Sequence, residues 1–373
     1  GSIIGTFLEK TGAAKSIADS LLNLTGKEKS PLAMNLTGFL VSVPVFCDSG
    51  FVILSTLNNA INKKTGISLA VLGTSLAAGL YATHVFVPPT PGPLAAASII
   101  GADVGLVLVF GFIIAIPVSL VGWGWAIFYC SRFSIESQTH DKEVTTRKTD
   151  SPNILIALLP IIIPILLISL KSLIDRPTID LENIKLEGLI AFFGHPIIAL
   201  LLGVLIAMIT TLKFSLEEHF NWVSDGLKSA GTIILITGAG GAFGNILRAT
   251  ALGDSISQQL IGYKIGLLLP FIIAEFLKTA QGSSTVSIIT TAAMIAPLLD
   301  LLGLSGEMGK VLAVLSIGAG AMTVSHLNDS YFWVVSQFSN MNTSTALRCH
   351  TATTLLQGIT GVVLIQIISL LLL

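Results

Sequence analysis

The sequence predicts an all-α polytopic membrane protein built from two inverted repeats, each with a re-entrant hairpin and a broken transmembrane helix. Three observations lead there. The 373 residues are 52% hydrophobic and only 11% charged, whereas soluble domains carry about 25% charged residues. The apolar residues gather in runs close to the roughly 20 that cross hydrocarbon as a helix. Polar, Gly or Pro residues interrupt four of these runs, and the interruptions come in the same order twice.

Composition also excludes classes. A soluble fold must still cover its surface with polar groups, and this chain has too few. A net charge of −1 gives no electrostatic footprint for nucleic acid. Cys47, Cys130 and Cys349 lie far apart and match neither a disulfide framework nor a zinc spacing. No cleavable signal peptide is expected from the residues that open the sequence. It starts at Gly1 without an initiator Met, so an N-terminal piece is expected to precede it.

Residues 1–30 read as one modestly amphipathic helix ending in the charged turn Lys27-Glu28-Lys29. Residues 32–61 are apolar but interrupted by Pro44 and Cys47-Asp48-Ser49-Gly50. Each arm has about a dozen residues, too short to cross alone, so this is a re-entrant hairpin with its tip at 44–50. Residues 68–101 form a broken span. Its four prolines between 88 and 93 remove donors and clash with the preceding turn, so helix resumes only at 94–101. Residues 103–129 cross back, and together 1–130 make the first repeat. The polar loop 131–151 follows, then linking spans within 152–228 at 152–174 and 189–211.

The second repeat covers 229–373. It has a span at 229–247, an interfacial stretch at 250–262 and a hairpin at 264–300 with its tip at Gln281-Gly282-Ser283-Ser284-Thr285. A broken span at 308–340 is interrupted at Ser325-His326-Leu327-Asn328-Asp329-Ser330, and a last span covers 351–373. Faint similarities pair Gly5-Thr6-Phe7 with Gly241-Ala242-Phe243, Ser16-Ile17 with Ser255-Ile256, and Thr83-His84 with Ser325-His326. An odd number of crossings between the copies makes them inverted, a common build for transporters. The positive-inside rule places the 131–151 loop in the cytoplasm.

Non-helical backbone at membrane depth is tolerated only where it lines a cavity or is packed in protein. The four interruptions therefore define the expected binding site. Helix ends there expose free N–H groups that suit a carboxylate, and nearby Ser, Thr and Asn side chains can bond hydroxyls. The candidate substrate residues are Ser49, Thr83, His84, Thr90, Gly92, Lys278, Gly282, Ser283, Ser284, Thr285, Ser325, His326, Asn328 and Ser330. Charged residues at depth are costly and point to function, which makes Asp48 and Asp329 the proton-carrier candidates. His84 and His326 occupy equivalent repeat positions, and His titrates near neutral pH. Glu275 and Lys278, three apart on one arm, pair with each other as readily as with a ligand.

The glycine-rich stretch 238–244 lacks dinucleotide spacing and a flanking strand, so no cofactor is implied. A hydrolytic reading would use Ser325, His326 and Asp329, but adjacent helical residues do not face each other. A channel is the third class, distinguished by flux without saturation.

The most specific segments are 43–54 (VPVFCDSGFVIL), 83–93 (THVFVPPTPGP), 281–286 (QGSSTV) and 325–333 (SHLNDSYFW). At these the chain resembles the gluconate permease family of bacterial proton symporters, over essentially its whole length. The resemblance implies an inner-membrane, proton-coupled carrier of a small carboxylate such as gluconate. It also implies a homodimer pairing a scaffold domain with a moving transport domain. The chain departs from the family's usual residues at Cys47, Thr90 and Tyr331, which leaves D-serine and glycerate as alternative substrates; sodium is an alternative coupling ion, because unwound backbone carbonyls with Asn and Asp also suit it. On this reading helix N-termini around Ser283, Ser284 and Thr285, with Lys278, hold the carboxylate. Asn328, Ser330, Thr90 and Ser49 meet the hydroxyls.

Overall fold

The computed structural model describes residues 1–137, 152–174, 187–249 and 266–373, and every regular element among them is helical. In chain order these are α1 (Ser2–Lys10), α2 (Ala13–Thr25), α3 (Ser30–Val41), α4 (Cys47–Thr65), α5 (Leu69–Phe86), α6 (Pro91–Ile100) and α7 (Val104–Phe128). Then come α8 (Ile154–Ile174), α9 (Glu187–Phe193), α10 (Pro196–Thr210), α11 (Leu216–Ala249), α12 (Leu268–Gln281) and α13 (Ser284–Ile295). The last are α14 (Glu307–Met322), α15 (Ser330–Phe338), α16 (Thr343–Ala346), a π turn at Leu347–Thr351, and α17 (Ala352–Leu372).

The spine is α5, in which every residue from Leu69 to Phe86 is buried. A helix that is apolar all round is a core helix, and α5 packs between α3, α4 and α7. Small residues let backbones meet closely in a membrane core. A Cβ on Gly79 would lie 2.0 Å from the Asn35 carbonyl oxygen of α3. Polar side chains then tie the helices. Asn35 Nδ2 donates to the carbonyls of Ser75 (3.0 Å) and Ser119 (3.3 Å), and Ser119 Oγ returns a bond to Asn35 Oδ1 at 2.8 Å. Gln357 of α17 donates to Ala78 O and Val118 O at 3.0 and 3.2 Å. Thus α3, α5, α7 and α17 are cross-bonded where water has no access.

In the second half α14 packs on α12 and α17, while α13 lies against α6, α11 and α12. Among the described residues four helical stretches are long and apolar enough to cross a membrane: Leu69–Ile100, Val104–Arg132, Ile154–Ser172 and Thr343–Leu372. Leu155, Leu166, Leu201, Ile209 and Leu370 stand exposed on the outer helices. In water these would be a liability; on a multi-pass membrane protein they are the lipid-facing surface.

Several boundaries differ from the sequence reading. Residues 1–30 are two helices, parted at Thr11-Gly12, not one. The 189–211 span is broken at Gly194-His195, where Pro196 starts a new helix. Pro91 and Pro93 lie inside the first turn of α6 rather than in a non-helical stretch. A first-turn N–H has no intrahelical partner, so proline loses nothing there. Thr83 and His84 belong to α5, whose break is confined to residues 87–90. The tip placed at 44–50 is also shorter: Cys47-Asp48-Ser49-Gly50 form the first turn of α4. The span expected at 229–247 lies within the longer α11. The polar loop beyond residue 137, the 250–262 stretch and Ser255-Ile256 lie outside the described residues.

Candidate functional site

Each of four helices begins directly after a break. Phe46 precedes α4, Thr90 precedes α6, Ser283 caps α13, and Asp329 caps α15. Ser283 Oγ accepts from Val286 N at 3.3 Å and Asp329 Oδ1 from Tyr331 N at 3.1 Å. The remaining first-turn N–H groups and the positive dipole ends favour negative charge.

Contacts between distant segments bring these starts together. Gly282, with φ +85°, sits so close to the 325–330 break that a Cβ would lie 2.0 Å from Asn328 O. Asn328 Nδ2 donates to Thr279 O at 2.6 Å. Ser330 Oγ donates to Asp48 Oδ1 at 3.4 Å, joining the starts of α15 and α4. His84 Nε2 lies 3.5 Å from Thr285 Oγ1, and Gly92 of α6 rests against Ile288 of α13. Asn328, Leu327 and Ser330 are exposed and Asp48 and Ser49 half-buried, so this junction has an open polar mouth.

One layer beneath the mouth is a buried ion pair. Lys278 Nζ binds Asp329 Oδ2, with the two side chains 1% and 4% exposed. Lys278 also donates to Gly282 O at 2.5 Å. Ser325 Oγ donates to the same Asp329 oxygen. His350 Nε2 is 3.1 Å from Ser325 Oγ, Thr351 Oγ1 donates to Ser325 O at 2.5 Å, and Ser325 N donates to Thr354 Oγ1 at 3.0 Å. Breaking one half of such a pair strands a buried charge, typically at a cost of about 3–5 kcal/mol. An aromatic row backs the site. Ring centroids are 6.4 Å apart for His84 and Tyr81, 5.1 Å for Tyr81 and Tyr331, and 5.3 Å for Tyr331 and His350.

The structure thus gathers Asp48, Ser330, Asn328, Gly282, Lys278, Ser325 and Asp329, with Ser49 beside Asp48 in the first turn of α4. His84 and Thr285 form a second contact at the same junction. Ser283 and Ser284 open α13. Thr83 and Thr90 are buried and return their hydroxyls to their own backbone, Thr83 to Gly79 O and Leu80 O, Thr90 to Val87 O. Two expectations are corrected. Lys278 pairs with Asp329 of the next break and not with Glu275, because the α12 face carrying Lys278 is the buried one. His84 and His326 are not equivalent: His84 is buried inside α5, whereas His326 is partly exposed in the break.

Sequence reasoning missed His350, Thr351 and Thr354. The signal was present: a histidine and three threonines in a long apolar stretch, which at membrane depth is a functional hint. Starting the last span at 351 put His350 outside it. The π turn that carries His350 and Thr351 is itself a feature frequent at functional sites.

The sequence model of the GntP family permeases matches residues 1–371. The chain is 36% identical over 359 residues to a permease of Haemophilus influenzae, covering 92% of this chain and 73% of the relative. It is 33% identical to a gluconate permease of Pseudomonas aeruginosa, covering 100% of this chain and 83% of that protein. To the L-idonate transporter of the Gnt-II system of Escherichia coli it is 30% identical, covering 97% and 82%. The fold is similar to that of the YdaH transporter of Alcanivorax borkumensis, with a TM-score of 0.60 over 98% of this chain and 84% of that one, at 16% identity.

Proposed function

The chain belongs to the GntP family of permeases, and on that premise we propose that it imports a sugar acid such as gluconate across the inner membrane in symport with protons. It is a carrier and not an enzyme. The relatives named for gluconate and L-idonate support this substrate class, and a relative named as an inner membrane permease supports the location.

The observation that carries the reading is the meeting of four helix starts at one polar mouth above a buried ion pair. A sugar acid has one carboxylate and several hydroxyls. The carboxylate suits the first-turn N–H groups of α13, around Ser283, Ser284 and Thr285, with Lys278 beneath them. The hydroxyls suit Asn328, Ser330 and Ser49 at the mouth, with His84 and the segment from Thr90 to Gly92 closing the α6 side. Asp48 and Asp329 are the two carboxylates within reach of a coupled proton.

In this proposal the helix pairs α3–α4 and α12–α13 are the two re-entrant hairpins. The pairs α5–α6 and α14–α15 are the two broken helices of inverted repeats, and the 131–151 loop is cytoplasmic. Two copies associate as a homodimer, each with its own site.

The test is uptake of labelled gluconate into proteoliposomes with an inward proton gradient and no sodium. Concentrative uptake that collapses with a protonophore, and is competed by L-idonate but not by D-serine, is the expected result. Absence of uptake from well-reconstituted protein, or competition by D-serine alone, overturns the sugar-acid assignment.

A further inference from the structure

We propose that the Lys278–Asp329 ion pair is the coupling element itself, and that the substrate carboxylate replaces the Asp329 carboxylate on Lys278 when Asp329 takes the proton. This rests on the proposed sugar-acid symport and specifies how the same site couples the two fluxes.

Among the described residues Lys278 is the one buried Lys or Arg, and it carries one carboxylate. Lys278 Nζ is shared between Asp329 Oδ2 and Gly282 O, and its side chain is 1% exposed. Both neighbours belong to the breaks that form the mouth. Gly282 carries the turn into α13, and Asp329 is the cap of α15. A carboxylate bound at the α13 start therefore lies next to the Lys278 ammonium but finds it occupied. Two carboxylates on one buried ammonium leave an excess negative charge, which burial penalises. Protonating Asp329 removes that charge and frees Lys278.

The charges facing Asp329 are compatible with this exchange. Lys278 approaches from α12, Cys47 and Asp48 from α4, Tyr81 and His84 from α5, and His350 from the π turn, with Tyr331 on its own helix. Among these groups Lys278 is the one that forms an ion pair with Asp329. Ser325 holds Asp329 Oδ2 and is itself held by His350, Thr351 and Thr354. Asp329 therefore keeps a hydroxyl partner when it gives up Lys278.

The proton balance is closed. One proton from the outer solution binds Asp329, and one anion binds Lys278. On the other side both leave and the original pair re-forms. The empty site carries Lys278⁺ with Asp329⁻, and the loaded site carries Lys278⁺ with the substrate anion and neutral Asp329. Neither form has net charge at this pair. One proton accompanies each monoanion, and the cycle moves no net charge.

Two measurements on the full chain test this. In Asp329→Asn the loaded site is still neutral, but the empty site must move Lys278 uncompensated. Concentrative gluconate uptake is expected to fall at least about tenfold, while gluconate counterflow persists, because burying an unpaired charge hinders only the empty return. Retention of pH-driven accumulation overturns the proposal, as does loss of counterflow from a monodisperse variant. The second measurement needs no variant. Calorimetry of gluconate binding to the wild type in two buffers of different ionisation enthalpy reads the protons taken up. About one proton per gluconate is expected, because binding and protonation are reciprocally linked. Binding without proton uptake overturns the exchange and leaves the sugar-acid reading intact. Absence of gluconate binding overturns the sugar-acid reading, and the exchange with it.

Discussion

Replacing Gly282 with Ala tests whether the close approach of the two breaks matters for transport. Gly282 has φ +85°, and an added Cβ would sit 2.0 Å from Asn328 O and 2.7 Å from the carbonyl carbon. A left-handed backbone costs an L-residue roughly 1–2 kcal/mol, which the fold can absorb. The contact cannot stay as it is. Real Cβ contacts begin near 3.0 Å, so the Asn328 carbonyl must retreat by at least about 1 Å. Asn328 precedes the Asp329 cap, and Gly282 O is a ligand of Lys278, so the shift falls on the ion pair and both helix starts. A displacement of about 1 Å in a preorganised site costs on the order of 100-fold in rate. The initial rate of gluconate uptake, measured on the folded, monodisperse fraction in proteoliposomes, is therefore expected to drop about 100-fold, with melting also lowered because the clash is with backbone. A folded Gly282→Ala protein that transports at half the wild-type rate or better refutes the reasoning.

Other substitutions probe separate parts of the account. Ser325→Ala removes the hydroxyl between Asp329 and His350; losing a buried partner costs about 1–3 kcal/mol, so the uptake kcat is expected to fall about tenfold with KM nearly unchanged. His350→Gln, which keeps a donor toward Ser325, is expected to retain more uptake than His350→Ala. Asn35→Ala cuts the bonds joining α3 to α5 and α7, and is expected to lower the melting temperature measurably while leaving KM for gluconate unchanged. Gly79→Val is expected to yield no monodisperse protein, since Asn35 O leaves no room for a Cβ. Gly124→Ala, with nothing within 4 Å of its added methyl, is expected to be neutral or to stabilise by roughly 0.5–1 kcal/mol.

The breaks were legible in the sequence because they are written in local chemistry. Proline removes donors, glycine permits positive φ, and Ser or Asp placed before an apolar run caps a helix. Ser283 and Asp329 are such caps, and α13 and α15 start directly after them. The fine boundaries were less legible. Pro91 and Pro93 read as helix breakers, but the same residues are favoured in a first turn, and only the start of α6 at Pro91 decides which applies.

The gathering of the four breaks was legible, but the individual side-chain pairings across the chain were not. Lys278 and Asp329 are 51 residues apart, and nothing in either segment favours this pairing over the local Glu275 alternative. The burial of one face of α12 decides it. The assumed equivalence of His84 and His326 failed for a related reason. A matching dipeptide does not report helical state, and one of these histidines is inside a helix while the other is not. The role of His350 is not legible because the π turn that aims it at Ser325 has no strong sequence mark.

The most direct test of the central claim is the pH change that accompanies transport. Gluconate is added to lightly buffered proteoliposomes containing the full-length chain, with sodium absent and the outside pH recorded. Alkalinisation outside, saturating with gluconate and abolished by a protonophore, is the expected result and establishes substrate and proton coupling together. Saturable gluconate entry with no change in outside pH would contradict proton symport at this site.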